Sequence, residues 1–111
     1  MNYAEESLKL HKLHHGKLEI KSKIPVTSKQ ELAVAYTPGV GAVSSAISEN
    51  PSLAREMTMK RNSVAIITDG SAVLGLGNLG PLGALPVMEG KAILFKEFGD
   101  IDAFPICLDT Q

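Results

Sequence analysis

The stretch that decides the fold reads Ser63-Val64-Ala65-Ile66-Ile67-Thr68-Asp69-Gly70. Its apolar run is short, rich in β-branched residues and closed by Asp69-Gly70. A run of this kind is typical of a strand that is buried on both faces. We therefore predict a strand in the middle of a sheet at this position.

The residues that follow predict a helix and a second strand. Residues 74–80 are too rich in glycine for regular structure and indicate a loop whose backbone conformation matters. Apolar residues recur at helical spacing from Pro81 to Phe98, and Gly99 is placed to end that helix. Pro86 is expected to bend the helix or delay its start. A second strand over Ala103–Leu108 completes a right-handed βαβ unit with parallel strands.

Three glycines of the loop, Gly75, Gly77 and Gly80, match the dinucleotide-binding pattern GxGxxG. Residues 69–74 separate the strand from the first of these glycines, whereas a true fingerprint follows its strand almost immediately. The acidic residue that would bind the ribose is expected about 20 residues further on, and Asp109 lies too far away. We therefore expect no cofactor-binding residue here, and a small nucleotide-binding protein stays as a minor alternative.

Composition and charge narrow the classes of function. The 111 residues are 44% hydrophobic, enough for one modest domain with a core. A net charge of −1 gives no field that would attract nucleic acid or an anionic membrane. No apolar stretch approaches the length of a membrane span, and residues 1–6 lack the features of a signal peptide. With Cys107 as the single cysteine, we predict a cytoplasmic protein without disulfides, in which Cys107 is a small buried residue.

The N-terminal part predicts a helix and an edge strand. Residues from Asn2 to His14 are amphipathic, and Gly16 is expected to stop the helix. His11, His14 and His15 cluster near this stop, but no carboxylate or cysteine stands at ligand spacing. Histidines also suit a helix C-terminus, so we expect no metal there. Lys17–Ile24 alternates between apolar and charged residues, which predicts a strand with one solvated face.

Residues 25–62 predict short helices. Two overlapping capping boxes, Thr27 with Gln30 and Ser28 with Glu31, predict a helix to about Ala35. A second helix is expected over Val40–Ser48, and Asn50-Pro51 is expected to cap a third that runs through Met57. The polar residues 60–62 then form a turn. The whole chain is predicted to be an α/β domain, with a small, mainly parallel sheet flanked by helices.

Two residues stand out by position. Tyr36 ends a short helix beside the turn Pro38-Gly39. It either has a functional role or is an aromatic core residue with a purely structural role. Lys91 lies on the helix that covers the sheet, between Gly90 and Ala92. It either extends its amine to water or is desolvated until the neutral amine can accept a proton.

Four motifs together resemble the N-terminal substrate domain of malic enzyme: residues 32–40 (LAVAYTPGV), 68–70 (TDG), 74–80 (LGLGNLG) and 90–91 (GK). Residues 104–109 (FPICLD) favour the bacterial short-subunit form. The resemblance runs from about Leu13 to the end of the chain. It implies an enzyme that converts malate to pyruvate and carbon dioxide with NAD or NADP and a divalent metal, Mg²⁺ or Mn²⁺.

The resemblance also implies the catalytic residues. Lys91 matches the lysine that takes the proton of the substrate hydroxyl, which requires the amine to be uncharged. Tyr36 matches the tyrosine that protonates the enolate at C3 after carbon dioxide leaves. A cationic Lys91 near Tyr36 would favour the phenolate.

Two departures limit the resemblance. The larger eukaryotic enzymes have an arginine for the substrate carboxylate where this chain has Ala72, so Thr37 and the backbone of residues 38–40 are the candidates instead. The family's metal ligands and its NAD(P)-binding domain are expected beyond Gln111. We therefore interpret residues 1–111 as a malic enzyme N-terminal substrate domain, without metal ligands and inactive alone. We expect malate or pyruvate as the substrate and a homodimer as the assembly. An assembly module without catalysis is the alternative.

Overall fold

The computed structural model describes residues 1–111, which divide into two compact units. The first unit combines Met1–Glu19 with Ser63–Gln111 and contains both strands. The second unit, Ile20–Asn62, consists of helices and turns. No helix in either unit combines the length and hydrophobicity that a membrane span requires.

Helix α1 covers Tyr3–His14 in the first unit. The side chain of Asn2 accepts a hydrogen bond from the Glu5 N–H at its start (3.1 Å). His15 and Gly16 then adopt left-handed conformations, with φ of 55° and 92°, and stop the helix. The predicted helix and its predicted stop are confirmed.

The sheet pairs β1, Ser63–Thr68, with β2, Asp102–Cys107. The strands are parallel, and their register runs from Ser63 opposite Asp102 to Thr68 opposite Cys107. Helix α5, Gly80–Gly99, connects them and packs mainly against β2. The predicted strand, helix and parallel strand are confirmed, and with them the α/β fold class.

The position of β1 within the sheet differs from the prediction. We expected a central strand buried on both faces, but β1 has a neighbour on one edge only, and 62% of Ile67 is exposed. β-Branched composition favours an extended backbone, whereas burial depends on what packs against the strand. Cys107, expected to be buried, is likewise only half-buried.

The predicted edge strand over Lys17–Ile24 is wrong, because no residue of this segment belongs to a strand. The Lys17 N–H donates to the Glu89 carboxylate at 2.7 Å instead of to another backbone. In the second unit, Ser22 Oγ accepts from the Ile24 N–H and donates to its carbonyl, which forms a local turn. Alternation alone does not supply a partner strand, and the apolar residues of the segment are exposed, Ile20 fully.

Helix α5 is continuous through a proline. Pro81 occupies the first turn, where a missing N–H costs little. Pro86 lies inside the helix, so the predicted alternative of a delayed start is wrong. The helix ends at Gly99, as predicted, and Asp100 follows in a left-handed conformation (φ 50°) with its N–H on the Lys96 carbonyl (3.0 Å).

The second unit contains three helices and two 3₁₀ turns. The helices are α2, Lys29–Ala35; α3, Val40–Glu49; and α4, Ala54–Met57. The turns are Pro51–Leu53 and Met59–Arg61. The predicted helices at residues 29–35 and 40–48 are confirmed, whereas the third is split into a turn and one short helix.

The start of α2 uses a modified capping box. Ser28 Oγ accepts from the Glu31 N–H (3.1 Å), as predicted. The Glu31 carboxylate returns to the Thr27 N–H (3.3 Å) and hydroxyl (3.1 Å), one residue earlier than in the usual box. The alternative box of Thr27 with Gln30 does not form, because Glu31 occupies the Thr27 groups.

Asn50 does not cap a helix with its side chain, which corrects the prediction. Its Oδ1 accepts from the Ser52 hydroxyl (2.7 Å) rather than from a backbone N–H. The Asn50 carbonyl accepts from the Leu53 N–H (3.0 Å), which closes the 3₁₀ turn. Side-chain to side-chain bonding competes here with capping.

Candidate active site

Tyr36 is fixed through its backbone and free at its ring. It follows the last residue of α2, where its N–H donates to the Leu32 carbonyl (2.7 Å). Its own carbonyl accepts from the N–H of Val40, the first residue of α3 (2.7 Å). The residue is 65% exposed, so the structural alternative of an aromatic core residue is wrong. The phenol can meet a ligand without rearrangement of its backbone.

Gly39 makes this corner possible by close approach. A Cβ at this position would lie 2.7 Å from the Ala33 carbonyl oxygen and 2.9 Å from that of Val34. The Gly39 N–H donates to the Ala33 carbonyl at 2.8 Å, which ties the turn to α2. Any side chain would push the corner apart, so glycine holds the backbone of residues 36–40 in place.

Lys91 lies on the exposed side of α5. The next residue, Ala92, is buried, so a neighbouring side of the same helical turn is packed within the unit. The lysine side chain is exposed and makes no hydrogen bond or ion pair. Leu94 and Phe98, which follow on the same side at helical spacing, are also exposed. Of the two alternatives predicted for the Lys91 amine, this structure shows the one in which the amine extends to water.

Glu89 fastens the end of α1 to the turn of α5 that precedes Lys91. Its carboxylate accepts from the Lys17 N–H, and a Cβ on Gly16 would lie 3.0 Å from Glu89 Oε1. The Lys17 amine donates to the Pro86 carbonyl (2.9 Å) and contacts His11 Nε2. This contact joins segments 72 residues apart in sequence.

The loop between β1 and α5 is closed by one fully enclosed glycine. Gly70 is buried with φ of +73°, and its carbonyl accepts from the N–H groups of Leu79 and Gly80, both at 3.1 Å. A Cβ on Gly70 would lie 1.9 Å from the Gly80 carbonyl oxygen. The strand end and the helix start therefore meet at a contact that only glycine permits.

The remaining loop residues also bond within the loop and to the last residue of the chain. The Val73 N–H donates to the Gly77 carbonyl (2.8 Å), and the Val73 side chain is buried. The Asn78 side-chain oxygen accepts from the Gly80 N–H (3.1 Å), and the Asn78 amide forms two reciprocal bonds with Gln111 (2.9 Å each). Gly75, the first glycine of GxGxxG, has no neighbour within 4 Å of a built Cβ. Of the residues that separate β1 from Gly75, Gly70 and Val73 thus have structural roles of their own.

Hydrogen bonds and ion pairs shift the pKa of two charged side chains in the first unit, Asp69 and Lys96. The Ser71 hydroxyl and then the Ser71 N–H hold the pKa of Asp69 below its usual value of 3.8. At the other end of α5, Asp102 and then Asp100 raise the pKa of Lys96 above its usual 10.5. Their carboxylates lie 2.9 and 3.0 Å from the Lys96 amine. Asp69 therefore carries its negative charge across the neutral range, at the carboxyl end of β1.

Potential metal-ligating side chains do not cluster in this structure. No group of three or more His, Cys, Asp or Glu side chains is placed to hold an ion. His11 is engaged through Nδ1 with the Ser7 carbonyl (2.7 Å) and through Nε2 with Lys17. The residues present do not fit a divalent metal, so no catalytic step is assigned to one.

The family model of the malic enzyme N-terminal domain matches residues 15–111. The chain belongs to the malic enzyme family. Both Tyr36 and Lys91 lie within the matched range, as do the glycine loop and β2. The resemblance found in the sequence is confirmed.

Relatives from bacteria are similar over most or all of the chain. The NAD-dependent malic enzyme of Geobacillus stearothermophilus is 60% identical over 86% of this chain and 20% of its own length. The bifunctional malic/malolactic enzyme of Bacillus subtilis is 56% identical over the whole chain and 27% of its own length. The chain thus spans about a quarter or less of these malic enzymes.

Crystal structures of malic enzymes share the fold. The enzyme of Pyrococcus horikoshii matches 97% of this chain with a TM-score of 0.93 and 49% identity, over 26% of its own chain. The NAD-dependent enzyme of Thermotoga maritima matches 94% with a TM-score of 0.89 and 51% identity, over 28% of its chain. The α/β architecture of this chain is therefore that of malic enzyme N-terminal regions.

Sequence reasoning missed the contacts that organise the first unit. The bond from Lys17 to Glu89 and the pair of Asn78 with Gln111 join distant residues, and no local pattern announces them. Gly70 did carry a signal in the sequence, because glycine directly after a strand often marks a close backbone approach. The later glycines of the GxGxxG pattern, by contrast, do not form the closing contact.

Proposed function

We propose that this chain is the substrate-binding, N-terminal part of an NAD(P)-dependent malic enzyme, which oxidises and decarboxylates malate to pyruvate and carbon dioxide. The observation that carries the proposal is the family match across residues 15–111, which includes every motif quoted above. The names of the relatives support the chemistry, since both NAD- and NADP-dependent malic enzymes are among them.

Lys91 is the proposed base for the C2 hydroxyl proton of malate. It projects from a turn of α5 in which the neighbouring Ala92 is buried, so the helix backbone at Lys91 is held in place. Accepting a proton requires an uncharged amine, and water around an exposed lysine favours the charged form. The proposal therefore requires that other parts of the enzyme cover this side of α5 and desolvate the amine.

Tyr36 is the proposed acid that protonates C3 of the enolate after carbon dioxide leaves. Its backbone is held between α2 and α3, and its ring is exposed to an incoming substrate. The backbone of residues 38–40 and the Thr37 hydroxyl stay as candidates for the substrate carboxylate. In such an enzyme, the bound nucleotide takes up the two electrons that leave malate, and we assign no residue of this chain to it.

A chimera tests both assignments. This chain replaces the matching part of the Bacillus subtilis bifunctional malic/malolactic enzyme, and malate-dependent reduction of NAD or NADP is measured. Lys91→Met and Tyr36→Phe are each expected to lower kcat by a factor of about 100 or more, the usual contribution of a general acid or base. Lys12→Met and Tyr3→Phe, at exposed sites on α1, serve as matched controls.

Retention of wild-type kcat in either catalytic variant would contradict its assigned role. The 111-residue chain by itself is expected to be inactive, and malate-dependent NAD reduction by the purified chain would overturn that expectation.

The proposal includes a homodimer in the cytoplasm. Leu8 and Leu13 of α1 are exposed and apolar, and such side chains on a short helix favour a protein partner. Sedimentation of the chimera checks the assembly, with Leu13→Glu expected to weaken it. A monomeric mass at all concentrations would contradict the homodimer without affecting the catalytic assignments.

A further inference from the structure

The amine of Lys17 is directed at the protein, in contrast to that of Lys91. Lys17 is half-buried, and its amine donates to the Pro86 carbonyl of α5 at 2.9 Å. A partly buried lysine usually lays its apolar stem on the protein and extends its amine to water. The Lys17 amine instead has a defined partner in the backbone of a helix.

The imidazole of His11 holds the same amine from the side of α1. His11 Nδ1 lies 2.7 Å from the Ser7 carbonyl, which can only accept a hydrogen bond, so Nδ1 carries the proton. Nε2 then has the lone pair and accepts from the Lys17 amine, which it contacts. The Lys17 amine is thus held between an acceptor on α1 and an acceptor on α5.

Lys17 makes two further contacts with the same stretch of α5. Its backbone N–H donates to the Glu89 carboxylate at 2.7 Å. A Cβ built on Gly90 would lie 4.0 Å from Lys17 Cε, so the stem of the lysine passes beside this glycine. The contacts of this one residue therefore extend over residues 86–90, which end directly before Lys91.

Two residues of α5 weaken the helix just before Lys91. Pro86 has no N–H to donate to the Leu82 carbonyl, so one hydrogen bond of the helix is missing. Gly90 leaves its own backbone less restricted than any other residue would, and glycine destabilises helix interiors. A set of contacts that spans both residues therefore restricts the backbone that carries Lys91.

We propose that Lys17 is a positioning residue for Lys91, and that it acts by holding residues 86–90 of α5 in place. The inference rests on the proposed role of Lys91 as the base. Proton abstraction depends on the placement of the base, and a shift of about 1 Å in a reacting group can cost a factor of about 100 in rate. Lys17 itself takes up no proton, and loss of its amine lowers the rate only through Lys91.

Substitutions of Lys17 in the chimera test the proposal through kcat and the KM for malate. Lys17→Met keeps the backbone N–H and an apolar stem but removes the amine, and we expect kcat to fall about 10-fold while KM changes less than about 2-fold. Lys17→Arg, whose guanidinium can donate to the same carbonyl, is expected to bring kcat back to within about 3-fold of the unaltered chimera.

The matched control is Asn2→Ala at the other end of α1. It removes the side chain that accepts from the Glu5 N–H, and so destabilises α1 without altering the contacts of Lys17. We expect kcat and KM to stay unchanged. A loss of kcat equal to that of Lys17→Met would assign the effect to the stability of α1 and overturn the proposal.

A double substitution separates positioning from a general loss of stability. In a Lys91→Met chimera the amine to be positioned is absent, so adding Lys17→Met is expected to lower the residual kcat by less than about 2-fold. The residual rate is measured at high enzyme concentration. An equal loss of kcat in both backgrounds would show that Lys17 acts independently of Lys91, which would overturn the proposal.

Glu89→Ala gives a second variant, because it removes the acceptor of the Lys17 N–H. We expect a fall in kcat of about 3-fold or more, without a change in KM. Unaltered kcat in both Lys17→Met and Glu89→Ala, or no recovery in Lys17→Arg, would also overturn the proposal. Unaltered kcat in Lys91→Met would instead contradict the assignment of the base, so the two failures are distinguishable.

Discussion

The loop of residues 69–80 and the Lys91 side of α5 belong to the same unit but are built in opposite ways. The loop satisfies its backbone groups internally, through the Gly70 carbonyl and the Val73 N–H, and is fastened to the chain end by Asn78 and Gln111. Lys91 has no polar partner, and Leu94 and Phe98 beside it are exposed. Residues of this chain therefore specify the loop, whereas none of them covers the Lys91 side chain.

The sharpest way to break the loop is Gly70→Ala. The added Cβ would lie 1.9 Å from the Gly80 carbonyl oxygen, at a φ of +73° that alanine adopts poorly. We expect a loss of about 3 kcal/mol or more in the free energy of unfolding, measured by urea denaturation.

The matched control for this substitution is Gly75→Ala, in the same loop. A Cβ there meets nothing within 4 Å. We expect unchanged stability or a gain of up to about 1 kcal/mol from the lower entropy of the unfolded chain. Equal destabilisation by both variants would contradict the assignment of the closing contact to Gly70.

A smaller effect is expected at the contact between Glu89 and Lys17. Glu89→Ala removes the carboxylate that accepts the Lys17 N–H at 2.7 Å. Because hydrogen bonds to charged groups contribute more than neutral ones, we expect a loss of about 2 kcal/mol. Glu97→Ala, at an exposed helical site, is the control, and a loss of equal size there would show that only helix composition had changed.

At the end of the loop, a smaller loss of stability is expected from removing the side chain of Asn78. Asn78→Ala removes one of the two acceptors of the Gly80 N–H, the other being the Gly70 carbonyl, and both bonds to Gln111. The expected loss is about 1 kcal/mol, typical of a side-chain hydrogen bond. Gln111→Ala keeps the bond from the Gly80 N–H to Asn78 and is expected to cost less, so a larger loss from Gln111→Ala would reverse the ranking of the two contacts.

Substitutions on the exposed Lys91 side of α5 are expected to have little effect on stability. Lys91→Met and Phe98→Ser alter exposed side chains, and each is expected to change the unfolding free energy of the isolated chain by less than about 0.5 kcal/mol. Destabilisation comparable to that of Glu89→Ala would mean that this side of α5 is packed within the chain itself.

The smallest effect is expected from pH. Because the pKa of Asp69 is lowered in the folded state, the unfolded state binds the proton more readily between the two values. The contribution of Asp69 is therefore present above its ordinary pKa of 3.8 and is lost as pH falls through the lower folded value. The difference in urea midpoint between the native chain and Asp69→Asn is expected to shrink on acidification, and a difference that grows would contradict the sign.

Local sequence patterns predicted the elements that have local causes. β-Branched composition predicted β1, helical spacing predicted α5, and Ser28 marked the start of α2, because each depends on residues a few positions apart. Lys17–Ile24 was predicted wrongly because alternation does not reveal which group takes a backbone N–H. The burial of β1 was predicted wrongly because a strand's composition does not determine how many neighbours it has in this chain.

In the candidate site, too, local patterns predicted the position of each residue but not its surroundings. Tyr36 and Lys91 were identified from motifs that resemble a family, and the position of each on its own element followed from local pattern. Their solvent exposure did not follow, since burial is a property of the surroundings and not of the motif. The helical spacing of Leu94 and Phe98 beside Lys91 was visible in the sequence, but an apolar stripe alone does not show whether it is covered.

The central claim, that this chain supplies the acid of a malate-decarboxylating site, is tested most directly by proton exchange at pyruvate. The chimera is incubated with pyruvate in deuterated water, and incorporation of deuterium into the methyl group is followed by NMR. We predict that Tyr36→Phe slows this exchange by a factor of about 100 or more, whereas Tyr3→Phe leaves it unchanged. Exchange at the unaltered rate in Tyr36→Phe would contradict the account.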